Sequence, residues 1–300
     1  MSDTPRKSTF SIVAADLETG EVGCAVQSKY FSVGSVVPWA WAGIGAVATQ
    51  AAGVAVYGRF VLEELQRGAT PEAALEAVLA GDPGRETRQL GIVTADGRAA
   101  AFTGKECLDW AGHRAGPGFA VQGNILAGEA VVDEMARAYT GTVGTLVERL
   151  VAALEAGQAA GGDKRGQQSA ALIVERAGGR VESREGIDRI CDLRVEDHPE
   201  PIVELRRLVE IWADWDAQRR AHAHYERGDV AAAADLLRVV VAGRDEPMLF
   251  YNLACYESLG GRSAEAVAHL RQAIALDGSY RALAAQDPDF ESIRGQVTEL

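Results

Sequence analysis

The sequence predicts an α+β protein: a layered domain of antiparallel strands and helices, followed by a region that is entirely helical. Three observations carry this. Strand-like and helix-like segments come in segregated runs (strands, two helices, strands, two helices, strands) rather than in the strict alternation of a parallel fold. Several neighbouring strand segments are joined by short turn sequences, the signature of hairpins. After about Val195 the β-branched runs give out and a helical repeat begins.

The elements can be justified in order. Phe10 to Ala14 and Val22 to Gln27 are β-prone runs joined by Asp16-Leu-Glu-Thr-Gly20, whose Asp and Gly supply turn chemistry. A second pair is expected at Val33 to Trp41 and Ile44 to Thr49, turning at Ala42-Gly43. Gly58 to Gln66 reads as a helix closed by Arg67-Gly68. Thr70-Pro71 opens the next with a hydroxyl cap and a proline at the first helical position, and Gly81-Asp82-Pro83 stops it. Gln89 to Thr94 and Arg98 to Thr103 form another hairpin around Ala95-Asp96-Gly97. Phe119 to Gln122 reads as a strand and Gly128 to Tyr139 as a helix. Val143 to Leu154 places Leu146, Val147, Leu150, Val151 and Leu154 on one helical face. Ala170 to Val174 is a short apolar run expected to be a buried strand, and an edge pair is expected to end near Asp192-Leu-Arg194.

Asp197-His-Pro-Glu-Pro201 reads as a connector leading into a helix at Ile202 to Trp215. Beyond it Gly228 aligns with Gly261, Ala233 with Ala266, Leu237 with Leu270 and Val240 with Ala273, each pair 33 residues apart (228 to 261). That period is close to the tetratricopeptide repeat, which the second unit resembles through Asn252-Leu-Ala254, Gly261, Ala266, Leu270 and Ala273. Two units are few for a freestanding solenoid, so support from the helix at Ile202 or from a second copy is expected. The domain plan is therefore a flexible extension at 1–8, a layered domain at 9–196, a linker and connecting helix at 197–217 and a tetratricopeptide-like region at 218–300.

Composition narrows the function. With 47% apolar and 24% charged residues the chain is globular, and its net charge of −13 argues against gripping nucleic acid or anionic lipid. Cys24, Cys107, Cys191 and Cys255 show no metal-site or disulfide spacing, so no metal or other cofactor is expected. A polar N-terminus and the proline- and glycine-broken apolar stretch from Val33 to Val56 point to a cytoplasmic location. Neither a GxxxxGK[ST] loop, a GxSxG elbow nor an HExxH pair occurs. What remains is hydroxyl, amide and charge chemistry at strand ends: Ser8-Thr9, Gln27-Ser28-Lys29, Thr49-Gln50 and Gln122-Gly-Asn124. Such ends together could rim a pocket, although each alone suits a turn or cap. The loop Gly157 to Ser169, with Asp163, Lys164, Arg165 and four glycines, carries more functional groups than a helix-to-strand turn requires, though a solvated turn is the competing reading.

Thr9-Phe-Ser-Ile-Val-Ala14, Ser28-Lys29, Val33-Gly-Ser-Val-Val-Pro-Trp39, Gly45-Ala-Val-Ala-Thr-Gln50, Arg88-Gln89, Gln122-Gly-Asn124 and Gly161-Gly-Asp-Lys-Arg-Gly166 resemble, in order, the family called domain of unknown function 1028. The resemblance runs from about Thr9 to Arg194. It implies membership of the N-terminal nucleophile hydrolase superfamily: a four-layer αββα sandwich and hydrolysis of an amide bond by a residue at the start of the first strand, whose free α-amine acts as base. On that implication Thr9 is the nucleophile, with Lys29 an alternative base for Thr9 or Ser28. Gln50 and Asn124 would donate to the oxyanion. Asp163, Lys164 and Arg165 would orient the nucleophile or clamp a substrate carboxylate, with Thr49, Gln122 and Ser169 completing the pocket. The expected activity is hydrolysis of a small amide or peptide-like substrate that could carry a carboxylate. The alternative is a non-catalytic ligand-binding protein whose helical tail recruits a partner or forms a homo-oligomer.

Overall fold

A computed structural model of the chain describes residues 9–179 and 187–300. The expected extension at 1–8 lies outside the described residues, as does any part of the edge pair within 180–186. The chain divides into two compact units, the second beginning at Glu210. No described helix is long and apolar enough to cross a membrane.

The first unit is mixed α+β with two antiparallel sheets. Ten strands are described: β1 (Thr9–Asp16), β2 (Glu21–Ser28), β3 (Pro38–Trp41), β4 (Gly45–Ala51), β5 (Arg88–Thr94), β6 (Ala99–Thr103), β7 (Gly112–Gly116), β8 (Phe119–Asn124), β9 (Ser169–Arg176) and β10 (Arg189–Val195). One sheet runs β10-β9-β2-β1-β8-β7 and the other β3-β4-β5-β6. Alternation along each strand sends Val13, Cys24, Val26, Ala46, Val93, Ala120 and Ile173 into a shared core between the sheets. The outer face of the four-stranded sheet is covered by α1 (Tyr57–Gln66) and α2 (Pro71–Leu79), through Val47, Ile92, Val61, Leu62 and Leu75. Against the outer face of the six-stranded sheet lie α3 (Ala130–Gly141) and α4 (Leu146–Ala159).

The two central hairpins form as expected, and Thr70 caps α2 by accepting from the Ala73 amide at 3.2 Å. Three differences have physical reasons. The expected strand Val33 to Trp41 is strand only from Pro38. Val33–Ser35 is instead a 3-10 turn, pinned where the Val33 amide donates to Ser169 Oγ at 3.0 Å. Helix α4 begins at Leu146, not Val143, because Thr145 and Glu148 close a reciprocal capping box: the Glu148 amide donates to Thr145 Oγ1 at 3.3 Å and the Thr145 amide to Glu148 Oε2 at 2.8 Å. Strand β7 is absent from the sequence reading because Gly-His-Arg-Ala-Gly has no apolar alternation; it sits at the sheet edge, where one neighbour suffices.

The second unit is helical: the latter part of α5 (Pro201–Glu226), then α6 (Val230–Val240), α7 (Pro247–Leu259), α8 (Ser263–Leu276), α9 (Tyr280–Gln286) and α10 (Arg294–Val297). Of the residues paired by the 33-residue spacing, Ala233, Leu237, Ala266, Leu270 and Ala273 lie in one core, with Val240 packed against it. Gly228 and Gly261 close equivalent turns with φ of 80° and 75°, a left-handed conformation that favours glycine.

Candidate active site

Strand β1 is interior to its sheet, and its first residue starts a cross-strand row. Thr9 lies opposite Ser28 of β2 on one side and Asn124 of β8 on the other, and Ser28 lies opposite Ser169 of β9. Strand parity turns all four side chains into the space between the sheets, on the same face as Val13 and Val26. All four are buried, and Thr9 Oγ1 lies 3.1 Å from Ser28 Oγ.

Above this row the sheets are joined by amides instead of hydrocarbon. Gln50 of β4 donates from Nε2 to Gln89 Oε1 at 2.8 Å and to the Thr9 carbonyl at 3.3 Å, while its Oε1 accepts from Ser11 Oγ at 2.6 Å. Asn124 Nδ2 donates to Gln89 Oε1 at 3.0 Å, and Gln122 Nε2 to Ser11 Oγ at 2.6 Å. Gln89 Nε2 faces Thr103 Oγ1 and the Gly123 carbonyl at 3.0 and 2.7 Å. Thr103 Oγ1 is 2.9 Å from His113 Nδ1, and burial, with Arg114 nearby, pushes that imidazole below its usual range, so it is neutral at pH 7. Gly91 makes room for the network: a Cβ there would come within 1.9 Å of Gln122 Oε1.

Beside the row opens a cavity of about 280 Å³, lined by Asn124, Ile125, Ala51, Thr87, Glu106 and Cys107 among others. Two of its walls have unusual backbone. Ala51 and Ile125, each directly after a network residue, adopt φ of 64° and 55°. For a β-branched residue such as Ile125 this is costly, and such outliers gather at functional sites. Burial pushes the Cys107 thiol up to about 11, so it stays protonated and is not a ready nucleophile at neutral pH. The wall at Ala52 is held by Arg88, whose guanidinium donates to the Ala52 carbonyl and, at 2.7 Å, to Asp82. That bond to Arg88 holds the Asp82 carboxyl down at about 2.

The glycine-rich loop adjoins the same end of the sheet. Its Asp163 carboxylate is buried and accepts the Lys29 amide at 3.1 Å and the Arg165 amide at 2.8 Å, with the Arg165 guanidinium at 3.4 Å. The Lys164 amide donates to the Ile125 carbonyl at 3.0 Å, tying the loop to the cavity wall. Thus Thr9, Ser28, Gln50, Gln122, Asn124 and Asp163 are gathered at one end of the interior. Others are not. Lys29 is exposed and its ammonium donates to the Gln167 carbonyl at 3.0 Å, so it lacks the burial that a lysine base needs. Lys164 is exposed, with Nζ 3.4 Å from the Asp109 carbonyl. Thr49 points to the opposite face of β4 from Gln50 and bonds the Val54 carbonyl at 3.4 Å. Ser169 does lie in the buried row, but its hydroxyl is committed to structure: it donates to the Tyr30 carbonyl and accepts from the Val33 amide.

Sequence reasoning assigned no role to Ser11, Thr103 or His113 and met Gln89 only within a family motif. Ser11 and Gln89 left a trace, as polar residues at inward parity within β-prone runs. Thr103 enters opposite Gln89 in the β5–β6 hairpin, and His113 left no trace, because only the pairing of β7 with β8 brings it in.

No curated protein matches the chain. A crystal structure of a Silicibacter pomeroyi protein, assigned to a family called DUF1028, is 34% identical; the match covers 70% of this chain and 94% of that one, with a TM-score of 0.63. The model of that family, described as "Family of unknown function (DUF1028)", matches residues 9–205. Sequence and fold agree, and the chain belongs to the DUF1028 family.

Proposed function

We propose that the chain is an amidohydrolase of the N-terminal-nucleophile type, acting through Thr9 on a small amide or peptide-like substrate. One observation carries this reading: Thr9 opens an interior strand with its hydroxyl turned between the sheets, in a buried row ending at Asn124 on the wall of a cavity. On this reading the two sheets with their helical covers are the αββα sandwich of that superfamily, and the second unit is a tetratricopeptide-like module for a partner or a second copy.

The chemistry requires a free α-amine on Thr9, and hence removal of residues 1–8. An α-amine titrates near 8 and so accepts a proton at neutral pH. It would take the Thr9 hydroxyl proton as Oγ1 bonds the substrate carbonyl carbon, then give it to the leaving amine as the C–N bond breaks; water would hydrolyse the resulting ester. Asn124 is the side chain we assign to the substrate carbonyl oxygen. Gln50, whose amide is committed to the Thr9 carbonyl, Gln89 and Ser11, is assigned to positioning.

A chain beginning at Thr9 is expected to hydrolyse members of a broad amide panel, and Thr9→Ala in the same chain to lower the rate at least about a thousandfold. Equal rates for the two chains would remove Thr9 from the mechanism. Intact-mass measurement of the native protein shows whether residues 1–8 are removed.

The exposure of Lys29 favours a second reading, a ligand-binding protein without turnover, since an uncut chain then has no buried lysine base at Thr9. On that reading binding survives Thr9→Ala and is lost on Arg165→Ala.

A further inference from the structure

The helical unit contains its own cavity, of about 450 Å³, between α5, α7 and the segment after α9. Four aromatic rings line it: Trp215, Tyr225, Tyr251 and Tyr256. Its polar lining includes the carboxylates Asp287 and Asp289 together with Gln218, Arg219, His222 and Asn252. Gln218 lines the cavity but is 94% buried: its Nε2 donates to the Met248 carbonyl at 3.2 Å and its shielded Oε1 has no hydrogen-bond partner. Asp289 also lines it, half-buried, and no cation pairs with its carboxylate among the described residues. Glu257 of the same unit shows the contrast: its buried carboxylate meets Arg238 at 2.9 Å and His269 at 2.6 Å. Burial, reinforced by Asp287, pushes the Asp289 carboxyl up, which is what an unanswered negative charge produces.

We propose that this cavity binds an organic cation with N–H donors, an alkylammonium, whose head donates to the Asp289 carboxylate while its carbon body packs on the tyrosine and tryptophan rings. An ammonium supplies three donors and no acceptor, the complement of a carboxylate that no cation pairs with among the described residues. Aromatic faces attract cations, most strongly where water is excluded. The volume is that of a small-molecule site, far larger than a bare ion occupies.

A metal ion is the competing occupant, because Cys255, Asp287 and Asp289 bring ligand atoms within 4.8 Å of one another. Two facts weigh against it. Asp287 already accepts Tyr251 OH at 2.6 Å and the Asp289 amide at 3.0 Å, and burial, with Asp287 and Asp289 alongside, holds the proton on the Cys255 thiol, whereas a metal needs the thiolate. Arg219, which also lines the cavity, is paired with Asp216 at 2.9 Å. His222, likewise in the lining, lies 3.7 Å from Glu226.

The ammonium could belong to a free amine or to a lysine side chain, and calorimetric titration of the full chain distinguishes them. The probes are n-butylammonium, Nα-acetyl-lysine methylamide, a lysine-centred pentapeptide, the neutral isosteres n-butanol and Nα-acetyl-norleucine methylamide, and Zn²⁺. Saturable binding of the ammonium probes, with neutral isosteres weaker by about tenfold or more, is expected. Asp289→Asn, which keeps the side-chain shape, should weaken ammonium binding by about tenfold and leave the circular dichroism spectrum unchanged. Should that variant fail to fold, replacing the cavity-lining and largely exposed ring in Trp215→Ala must show a loss of the same sign. A pentapeptide that binds more tightly than the free amine identifies a polypeptide source, and equal affinities identify a small amine. Equal binding of neutral and charged probes, no binding of any ammonium, or stoichiometric Zn²⁺ binding abolished by Cys255→Ser would each overturn the assignment.

Discussion

The space between the two sheets is filled in two ways. Over most of its length Val13, Cys24, Val26, Ala46, Val93 and Ile173 pack as hydrocarbon. At the Thr9 end the same space holds Ser11, Gln50, Gln89, Gln122 and Asn124, bonded mainly to one another. A hydrocarbon contact tolerates small slides, whereas a hydrogen bond weakens steeply with distance and angle. The apolar part therefore holds the sheets together, and the amide part sets the position of the strand end that carries Thr9. Burying amides costs stability unless each is paired, so this end is both specific and fragile.

That contrast can be broken first at Gln89, where two donors converge. Gln89→Leu leaves Gln50 Nε2 and Asn124 Nδ2 short of their shared acceptor and should cost about 3–5 kcal/mol in urea denaturation. A cost under about 1 kcal/mol would mean that the network does not bear on stability. Acid tests the same end. Asp82, held by Arg88 at about 2 against 3.8 when free, contributes stability that is complete above 3.8 and lost as pH falls through about 2. Asp82→Asn should flatten the fall in melting temperature between these two values. In the apolar part a trim should be mild: Ile173→Val is expected to cost about 1 kcal/mol and to leave any activity of the site intact.

The smallest effect has the opposite sign. Gln27, on the face of β2 turned away from Ser28, is fully buried with neither amide atom partnered. Gln27→Met removes an unmatched polar group at nearly constant volume and should raise stability by about 1 kcal/mol. If it destabilises instead, Gln27 has a partner and the distinction between paired and unpaired amides needs redrawing.

Much of this was legible in the chain. The β1–β2 and β5–β6 hairpins announced themselves by apolar runs around Asp-Gly turns, and α2 by Thr70-Pro71, because these are local preferences. The polar residues at strand ends marked the site end, and Thr9, Ser28, Gln50, Gln122, Asn124 and Asp163 do converge there. Sorting participants from neighbours was not possible in one dimension. Thr49 and Gln50 are adjacent, yet pleating sends them to opposite faces. Lys29 and Ser28 are adjacent too, yet one is exposed and the other buried.

By itself, then, the sequence determined most of the elements, their hairpin connections and the helical character of the C-terminal region, which rest on composition, parity and spacing along the chain, and its motifs pointed to the family by resemblance. Tertiary structure decided the rest: that β7 brings His113 to Thr103, that Gln89 joins Gln50 to Asn124, and that Asp289 and Gln218 share a cavity though four helices separate them along the chain. The reason is that a hydrogen bond or a cavity wall depends on distances in space. Residues far apart in a chain acquire those distances only when sheets and helices pack.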